Sequence, residues 1–120
     1  MLLVVALRDK AWFDKFTDRA LFKQTCDAYG VNFRIVNDYT EVPTKNLILF
    51  EENGEIDLKD FEHPEDAVYL FGRTGYDIKL WFPGVPAVRI PTPYKSSLFG
   101  CVACGIVLED RLRKRTWQSQ

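Results

Sequence analysis

Two loops rich in glycine and proline are the segments of this 120-residue sequence best suited to binding a ligand. Leu70-Phe-Gly-Arg-Thr-Gly75 follows one short apolar run, and Val88-Arg-Ile-Pro-Thr-Pro93 follows the next. Glycine lets a ligand approach the backbone closely, and proline stiffens the second loop. In open α/β sheets, ligands bind beyond the carboxyl ends of the strands, where both loops are expected. The two loops are therefore the first candidates for a binding site, although turns of this composition are common.

Other groups that could carry chemistry are poorly placed. The only histidine, His63, precedes a proline within an acidic stretch, which is a poor position for the base of a nucleophilic triad. Cys101 and Cys104 have the spacing of a redox or metal-binding pair, with Cys26 as a third thiol. Their apolar neighbours favour packing inside a helix instead. The acidic stretch lacks the alternating Asp/Asn pattern of a calcium loop, so no metal site is expected.

Charge is distributed unevenly along the chain. The formal net charge is -1, yet residues 51–66 contain eight acidic residues and one lysine, which leaves about +6 for the remainder. The clearest basic run lies near the C-terminus and consists of Arg111, Arg113, Lys114 and Arg115. Such a run complements the dipole at a helix end or binds an anionic partner, and the sequence leaves both readings open.

Composition is that of one soluble folded domain, with 47% hydrophobic and 28% charged residues. The longest apolar run, from Leu2 to Leu7, is far shorter than the roughly 20 residues that span a bilayer, and no basic segment precedes it. Three cysteines, an odd number, do not form a disulfide framework. We therefore expect a single domain over residues 1–120, located in the cytoplasm, with no membrane partner.

The elements that must position the loops follow from hydrophobic periodicity. The run from Leu2 to Leu7 predicts a strand buried on both faces. Apolar residues at spacings of three and four predict a helix over about 10–29, with Gly30 at its end. A last helix is predicted from about Ser96 to Arg115, with Ser96 or Ser97 as its N-cap. Short strands are predicted at 33–36, 47–50, 67–71 and 87–90. This order predicts an α/β domain with a mainly parallel sheet and helices on both faces.

Three segments, in this order, resemble the motifs of a known family. Ala67 to Gly75, Val88 to Pro93 and Ser97-Leu-Phe-Gly-Cys-Val-Ala-Cys-Gly-Ile-Val-Leu108 resemble motifs two and three of the SPOUT RNA methyltransferases. The likeness is greatest to the TrmH/SpoU branch, which methylates ribose 2′-oxygens. Upstream, Asp18 to Gly30 is similar in placement to that branch's first motif. The likeness is strong over 67–108 and moderate over 4–36, and the chain is short for the family.

This resemblance implies a parallel sheet whose C-terminal part forms a deep trefoil knot. It implies a homodimer packed through the final helix, with RNA across both subunits and the basic run of residues 111–115 contacting phosphates. It also implies S-adenosylmethionine bound mostly by main-chain groups of the two loops. The residues that would line the cofactor pocket are Leu70, Phe71, Gly72, Gly75, Ile90, Pro91 and Leu98. The acidic stretch is expected to lie away from the RNA-binding face.

Four positions depart from the pattern of the branch. Asp18 replaces its usual asparagine, Thr74 its glutamate and Phe99 its asparagine. Gln24 stands in place of the arginine assigned to activating the ribose hydroxyl, and an amide cannot take that proton. A positioned base accelerates such a proton transfer by roughly 10²–10⁴-fold. The candidate catalytic positions are Arg8, Asp18, Gln24 and Arg73.

Three functions are open at this stage. The first is a methyltransferase that uses S-adenosylmethionine to modify a ribose of tRNA or rRNA, and it is the preferred one. The second is a SPOUT-fold protein that binds the cofactor or RNA but has lost catalysis. The third is an unrelated flavodoxin-like or thiol-redox domain that depends on Cys101 and Cys104.

Overall fold

The computed structural model describes residues 1–7, 16–72, 77–94 and 98–118, with 16–18 and 117–118 described as backbone only. Within these ranges the helices and strands are β1 (Leu2–Leu7), α1 (Phe16–Ala28), β2 (Asn32–Val36), β3 (Leu47–Phe50), β4 (Ile56–Asp57), β5 (Ala67–Phe71), β6 (Ala87–Arg89) and α2 (Gly100–Gln118). Single-turn 3₁₀ helices lie at Tyr39–Glu41, Leu58–Asp60 and Ile78–Leu80. Neither described α-helix is long and apolar enough to cross a membrane.

The described strands form one sheet in the order β2-β1-β5-β3-β6-β4, and every pairing is parallel. Leu70 of β5 lies at the centre, opposite Val5 of β1 on one side and Leu49 of β3 on the other. Because the strands run in the same direction, their carboxyl ends share one edge of the sheet, called here the carboxyl edge. The predicted parallel α/β sheet is confirmed, and the segments that follow β3, β5 and β6 meet at that edge.

One face of the sheet is covered by both α-helices. Val4 and Ala6 of β1 belong to a buried cluster that includes Phe22 of α1 and Cys104 and Val107 of α2. The two helices also contact each other directly. Burial of both helices on this face accounts for the apolar spacing along each of them.

The opposite face is covered by loops and 3₁₀ turns. Val5 and Leu70 belong to a second buried cluster with Ile78 and Phe82. Tyr39 stacks on Trp81 across the same side, with ring centroids 5.2 Å apart. The prediction of helices on both faces is therefore met on this face, among the described residues, only by single 3₁₀ turns. The short connection between β2 and β3 leaves room for no more than one such turn.

Two elements differ from those predicted. The two-residue strand β4 lies in the acidic stretch, where the pattern predicted a solvated loop or a short helix. Helix α2 begins at Gly100 rather than at Ser96, and the predicted N-cap residues Ser96 and Ser97 lie outside the described residues. The first helix is described from residue 16 onward, and its predicted residues 10–15 lie outside the described residues. β1, β3 and β5 have the predicted bounds, because wholly apolar runs mark strands buried on both faces.

Candidate functional site

The ends of three central strands meet around Glu51, the residue that follows β3. Its N–H donates to the Val88 carbonyl of β6 at 3.0 Å. The N–H of Gly72, the residue that follows β5, donates to the Phe50 carbonyl at 3.3 Å. These bonds extend the ladders by one residue past the strands. They bring the two loops that the sequence singled out to either side of Glu51.

Glycines allow this close approach. A Cβ on Gly72 would lie 2.8 Å from Oε2 of Glu51, and a Cβ on Gly54 would lie 2.6 Å from the carbonyl carbon of Val88. A Cβ on Gly100, at the start of α2, would lie 2.8 Å from Cζ of Phe22 and 3.6 Å from the Gly72 carbonyl oxygen. Segments from all three motif regions of the sequence, in α1, after β5 and at the start of α2, therefore converge at the carboxyl edge.

The predicted cofactor residues occupy unequal positions. Leu70 and Phe71 are buried and pair with strands on both sides, so they support the loop from within the sheet. Gly72 is the first residue beyond the strand and is partly exposed. Ile90 and Leu98 are half-buried and Pro91 is exposed, which leaves their surfaces open to a ligand. Gly75 lies outside the described residues.

The predicted catalytic positions are not brought together by what is described. Arg8 and Arg73 lie outside the described residues, and so does Thr74. Asp18 lies in α1, where only its backbone is described. Gln24 is exposed on the same helix. A catalytic role for any of these positions stays a prediction.

Glu51 is a site residue that the sequence reasoning missed. Its Oε2 accepts from the N–H of Ile78 across 3.5 Å. Burial of about half of the side chain raises its pKa to about 7, and the nearby carboxylates of Asp77 and Glu52 act in the same direction. The available signal was a glutamate directly after a wholly apolar strand. It was hidden because the acidic stretch was interpreted as a solvated loop.

The basic run of α2 contacts the acidic stretch through main-chain carbonyl groups. Arg111 donates to the carbonyls of Pro64 and Glu65 at 2.8 and 2.9 Å. Lys114 donates to the carbonyls of Leu58 and Phe61.

Arg115 donates to the His63 carbonyl at 3.3 Å, whereas Arg113 is paired with Glu109 on the exposed side of the helix. The acidic stretch therefore lies against the basic run of α2, and its position relative to an RNA-binding face stays a prediction. The carbonyl groups of the stretch attract the cationic side chains, so charge and hydrogen bonding both hold them together.

His63 lies in the centre of this contact and is structural. Its Nε2 lies 2.7 Å from Asp110 and its Nδ1 lies 2.7 Å from the Tyr69 hydroxyl. A carboxylate only accepts, so Nε2 carries the proton and Nδ1 accepts from Tyr69. Burial lowers the pKa of His63 and so favours the neutral ring, although Asp110 acts in the opposite direction. Both ring nitrogens are thus satisfied without charge.

The cysteines pack between the helices. Cys26 of α1 and Cys104 of α2 have their Sγ atoms 3.9 Å apart, and all three cysteines are buried. The hydrogen bond with Cys26 and burial raise the pKa of Cys104. Reactive cysteines need solvent access, so burial of Cys101 and Cys104 argues against the thiol-redox alternative. No group of three metal-ligating side chains occurs among the described residues.

Comparison with known proteins places the fold. No protein-family model and no curated protein matches the chain. A solved structure that gave insights into the 2-OH methylation of C/U34 on tRNA matches with a TM-score of 0.77 at 17% identity, covering 97% of this chain and 91% of that one. The Aquifex aeolicus TrmH/SpoU tRNA-modifying enzyme matches with a TM-score of 0.71 at 17% identity, covering 98% and 77%.

A third neighbour was solved with a cofactor. The SpoU methyltransferase AviRb from Streptomyces viridochromogenes, in complex with AdoMet, matches with a TM-score of 0.73 at 16% identity. The match covers 97% of this chain and 58% of that one. Identities this low establish a common fold. The motif resemblance and the structural likeness therefore agree, and this chain has the SPOUT-class fold of the TrmH/SpoU RNA methyltransferases.

Proposed function

We propose that this protein is an S-adenosylmethionine-dependent RNA methyltransferase that acts on a ribose 2′-oxygen of tRNA or rRNA. The observation that carries the proposal is the convergence of Glu51, Gly72 and Gly100 at the carboxyl edge of the sheet. Solved RNA methyltransferases have a similar fold. The C-terminal trefoil knot and a cytoplasmic location belong to the same proposal.

The residues at this edge fit the cofactor. The Gly72 carbonyl lies beyond the last strand pairing and beside Gly100, where neither glycine has a side chain to obstruct an approaching ligand. Ile90 and Leu98 offer half-buried apolar surface for an adenosine group, and Glu51 offers negative charge. Bound S-adenosylmethionine would supply a methyl group on a positively charged sulfur. The contribution of the chain is to orient that group and exclude water.

Proton removal from the ribose hydroxyl sets the limit of the proposal. Gln24 has no ionisable group, which leaves Arg8, Asp18 and Arg73 as candidates for activating the hydroxyl. The exposed position of Gln24 specifically favours a second function, a SPOUT-fold protein that binds the cofactor or RNA without catalysis.

A homodimer through α2 is part of the proposal. Phe99, just before the helix, is 61% exposed, and Val102 and Ile106 are 47% and 39% exposed. Their spacing of three and four residues places them on one side, so they form an apolar stripe that a second copy would cover. Arg113 follows on the same side. It is exposed and paired with Glu109, so an RNA phosphate would compete with that carboxylate for it, whereas Arg111 and Lys114 are anchored within the chain.

Calorimetric titration with S-adenosylmethionine tests cofactor binding. We expect the wild type to bind and Gly72→Ala to bind more weakly, because a Cβ at 2.8 Å displaces the Glu51 carboxylate. Gly105→Ala is the matched control, since its Cβ would make an ordinary 3.7 Å contact with Thr25. Absence of binding by the wild type at millimolar cofactor contradicts the proposal.

Label transfer separates the two functions. The wild type is incubated with methyl-labelled cofactor and total RNA, and the RNA is digested to nucleosides and analysed by mass spectrometry. Methylated ribose supports the first function, and a methylated base corrects the position of transfer. Cofactor binding without label in RNA supports the non-catalytic alternative.

A further inference from the structure

We propose that Glu51 is an additional cofactor-binding residue whose carboxylate holds a positively charged group of S-adenosylmethionine. The inference rests on the proposed function, because it requires the cofactor at the carboxyl edge. It assigns a role to a side chain that belongs to neither of the two loops singled out in the sequence.

The position of Glu51 carries the first step. Its backbone is fixed by the hydrogen bond from its N–H to the Val88 carbonyl, at the start of one loop. Its Oε2 lies so close to Gly72, at the start of the other, that a Cβ there would be 2.8 Å away. The N–H of Ile78 lies on its third side at 3.5 Å. The carboxylate is therefore held between the two segments that would contact the cofactor.

The charges around Glu51 carry the second step. Asp77 and Glu52 face it with like charge, and no described lysine or arginine is among the groups that influence its ionisation. Burying an ionised group without an opposite charge is costly, and proteins retain such groups mainly at functional sites. A bound cation would remove this cost. The site thus favours a positively charged ligand over a neutral one of the same shape.

The chemistry of the cofactor provides that cation. S-adenosylmethionine has a positive sulfonium and a positive α-ammonium, whereas S-adenosylhomocysteine retains only the ammonium. 5′-Methylthioadenosine has the same nucleoside without either charge. A series of these three ligands therefore separates recognition of charge from recognition of the adenosine group.

The three ligands are titrated calorimetrically into the wild type, Glu51→Gln and the matched control Glu62→Gln at pH 7.5, because Glu62 is exposed and is not among the groups that influence Glu51. We expect Glu51→Gln to weaken S-adenosylmethionine binding by about 10- to 100-fold, the range for loss of a hydrogen bond to a charged group. Binding of 5′-methylthioadenosine should not change. The affinity for S-adenosylhomocysteine shows which positive group Glu51 holds. If Glu51 holds the ammonium, Glu51→Gln weakens binding of S-adenosylhomocysteine and S-adenosylmethionine alike. If it holds the sulfonium, only S-adenosylmethionine binding weakens. Glu62→Gln should bind all three ligands as the wild type does.

Proton release provides a second measurement. A cation favours the ionised carboxylate, so S-adenosylmethionine should displace a proton from Glu51 near pH 7. Titrations between pH 6 and 7.5, in two buffers of different ionisation heat, measure this release while the ligand's own amine, of pKa about 7.7–8.0, stays mostly charged. Glu51→Gln should abolish the release, and Glu62→Gln should retain it.

Three results would overturn the inference. Equal weakening of all three ligands in Glu51→Gln means a structural role, and unchanged S-adenosylmethionine binding means no role. Failure of the wild type to bind any of the three removes the proposed function and this inference with it. Wild-type binding combined with either of the first two results removes the inference alone.

Discussion

The carboxyl edge of the sheet and the contact between α2 and the acidic stretch use charged residues in opposite ways. At the α2 contact, Lys114 and Arg111 donate to main-chain carbonyls and His63 is satisfied on both ring nitrogens, although Nε of Arg111 is buried without a hydrogen-bond partner among the described residues. At the carboxyl edge, Glu51 is half-buried among like charges with no described cation beside it. Satisfied polar groups stabilise a fold, whereas an uncompensated buried charge is tolerated where a ligand can supply its partner.

The two regions also respond oppositely to pH. Burial raises the pKa of Glu51 to about 7, so the native state holds a proton that the unfolded chain has lost above about pH 4.5. Its contribution to stability therefore falls as pH rises from about 4.5 to 7. Burial lowers the pKa of His63, so its contribution falls as pH drops below 6.5.

The largest effect should come from crowding the carboxyl edge. Gly54→Ala would place a Cβ 2.6 Å from the carbonyl carbon of Val88, and backbone cannot move aside cheaply. We expect a loss of about 2–4 kcal/mol in the free energy of unfolding, measured by urea denaturation. Gly105→Ala should be neutral or slightly stabilising. A Gly54→Ala protein as stable as the wild type would contradict the close approach of the loop to β6.

The next effect tests the α2 contact. His63→Ala leaves the Tyr69 hydroxyl and Asp110 without one of their partners, and we expect a loss of about 2–4 kcal/mol. His63→Gln removes the titration of the ring, so its free energy of unfolding should decline less, or rise more, than that of the wild type as the pH drops from 6.5 to 5. Denaturation curves at these pH values measure both effects. A His63→Gln protein with the same pH dependence as the wild type would assign that dependence to other groups.

A smaller effect of opposite sign should distinguish the carboxyl edge. Glu51→Gln removes a poorly solvated charge and should raise the free energy of unfolding at pH 8 by about 1 kcal/mol, after allowance for solvent reaching the exposed half. At pH 4.5 the native carboxyl is already protonated, so the gain should disappear. Thermal melts without cofactor at both pH values measure the difference. A destabilised Glu51→Gln protein at pH 8 would show that the Glu51 carboxylate has stabilising partners, as the polar groups of the α2 contact have.

The smallest effect on stability should come from Arg113→Ala. Arg113 is highly exposed, and among the described residues it is paired with Glu109 of the same helix, so the melting temperature of the Arg113→Ala protein should match that of the wild type. RNA binding is the sharper measurement, because loss of a phosphate contact reduces the slope of log affinity against log salt concentration by about one. Lys114→Ala should show the reverse, a clear loss of stability. If Arg113→Ala leaves RNA affinity and its salt dependence unchanged, the basic run has a structural role only.

Much of the fold could be predicted from local patterns. β1, β3 and β5 were located to the residue because their side chains are apolar on both faces, and the glycines of the loops marked where strands end. β4 escaped prediction because its two residues have no periodicity of their own. The start of α2 was predicted at Ser96 rather than Gly100, since apolar spacing does not define where the first turn begins.

The sequence by itself determined the parallel α/β class, the order of the motifs and the positions of the two loops. Only the tertiary structure decided which charges meet. It placed Glu51 between loops that follow different strands, anchored Arg111 to carbonyls 46 and 47 residues away, and joined Cys26 to Cys104 across 78 residues. The physical reason is that a buried face appears in the sequence as a periodic pattern of apolar residues. A pairing between distant residues has no such local pattern, because it depends on how the elements pack.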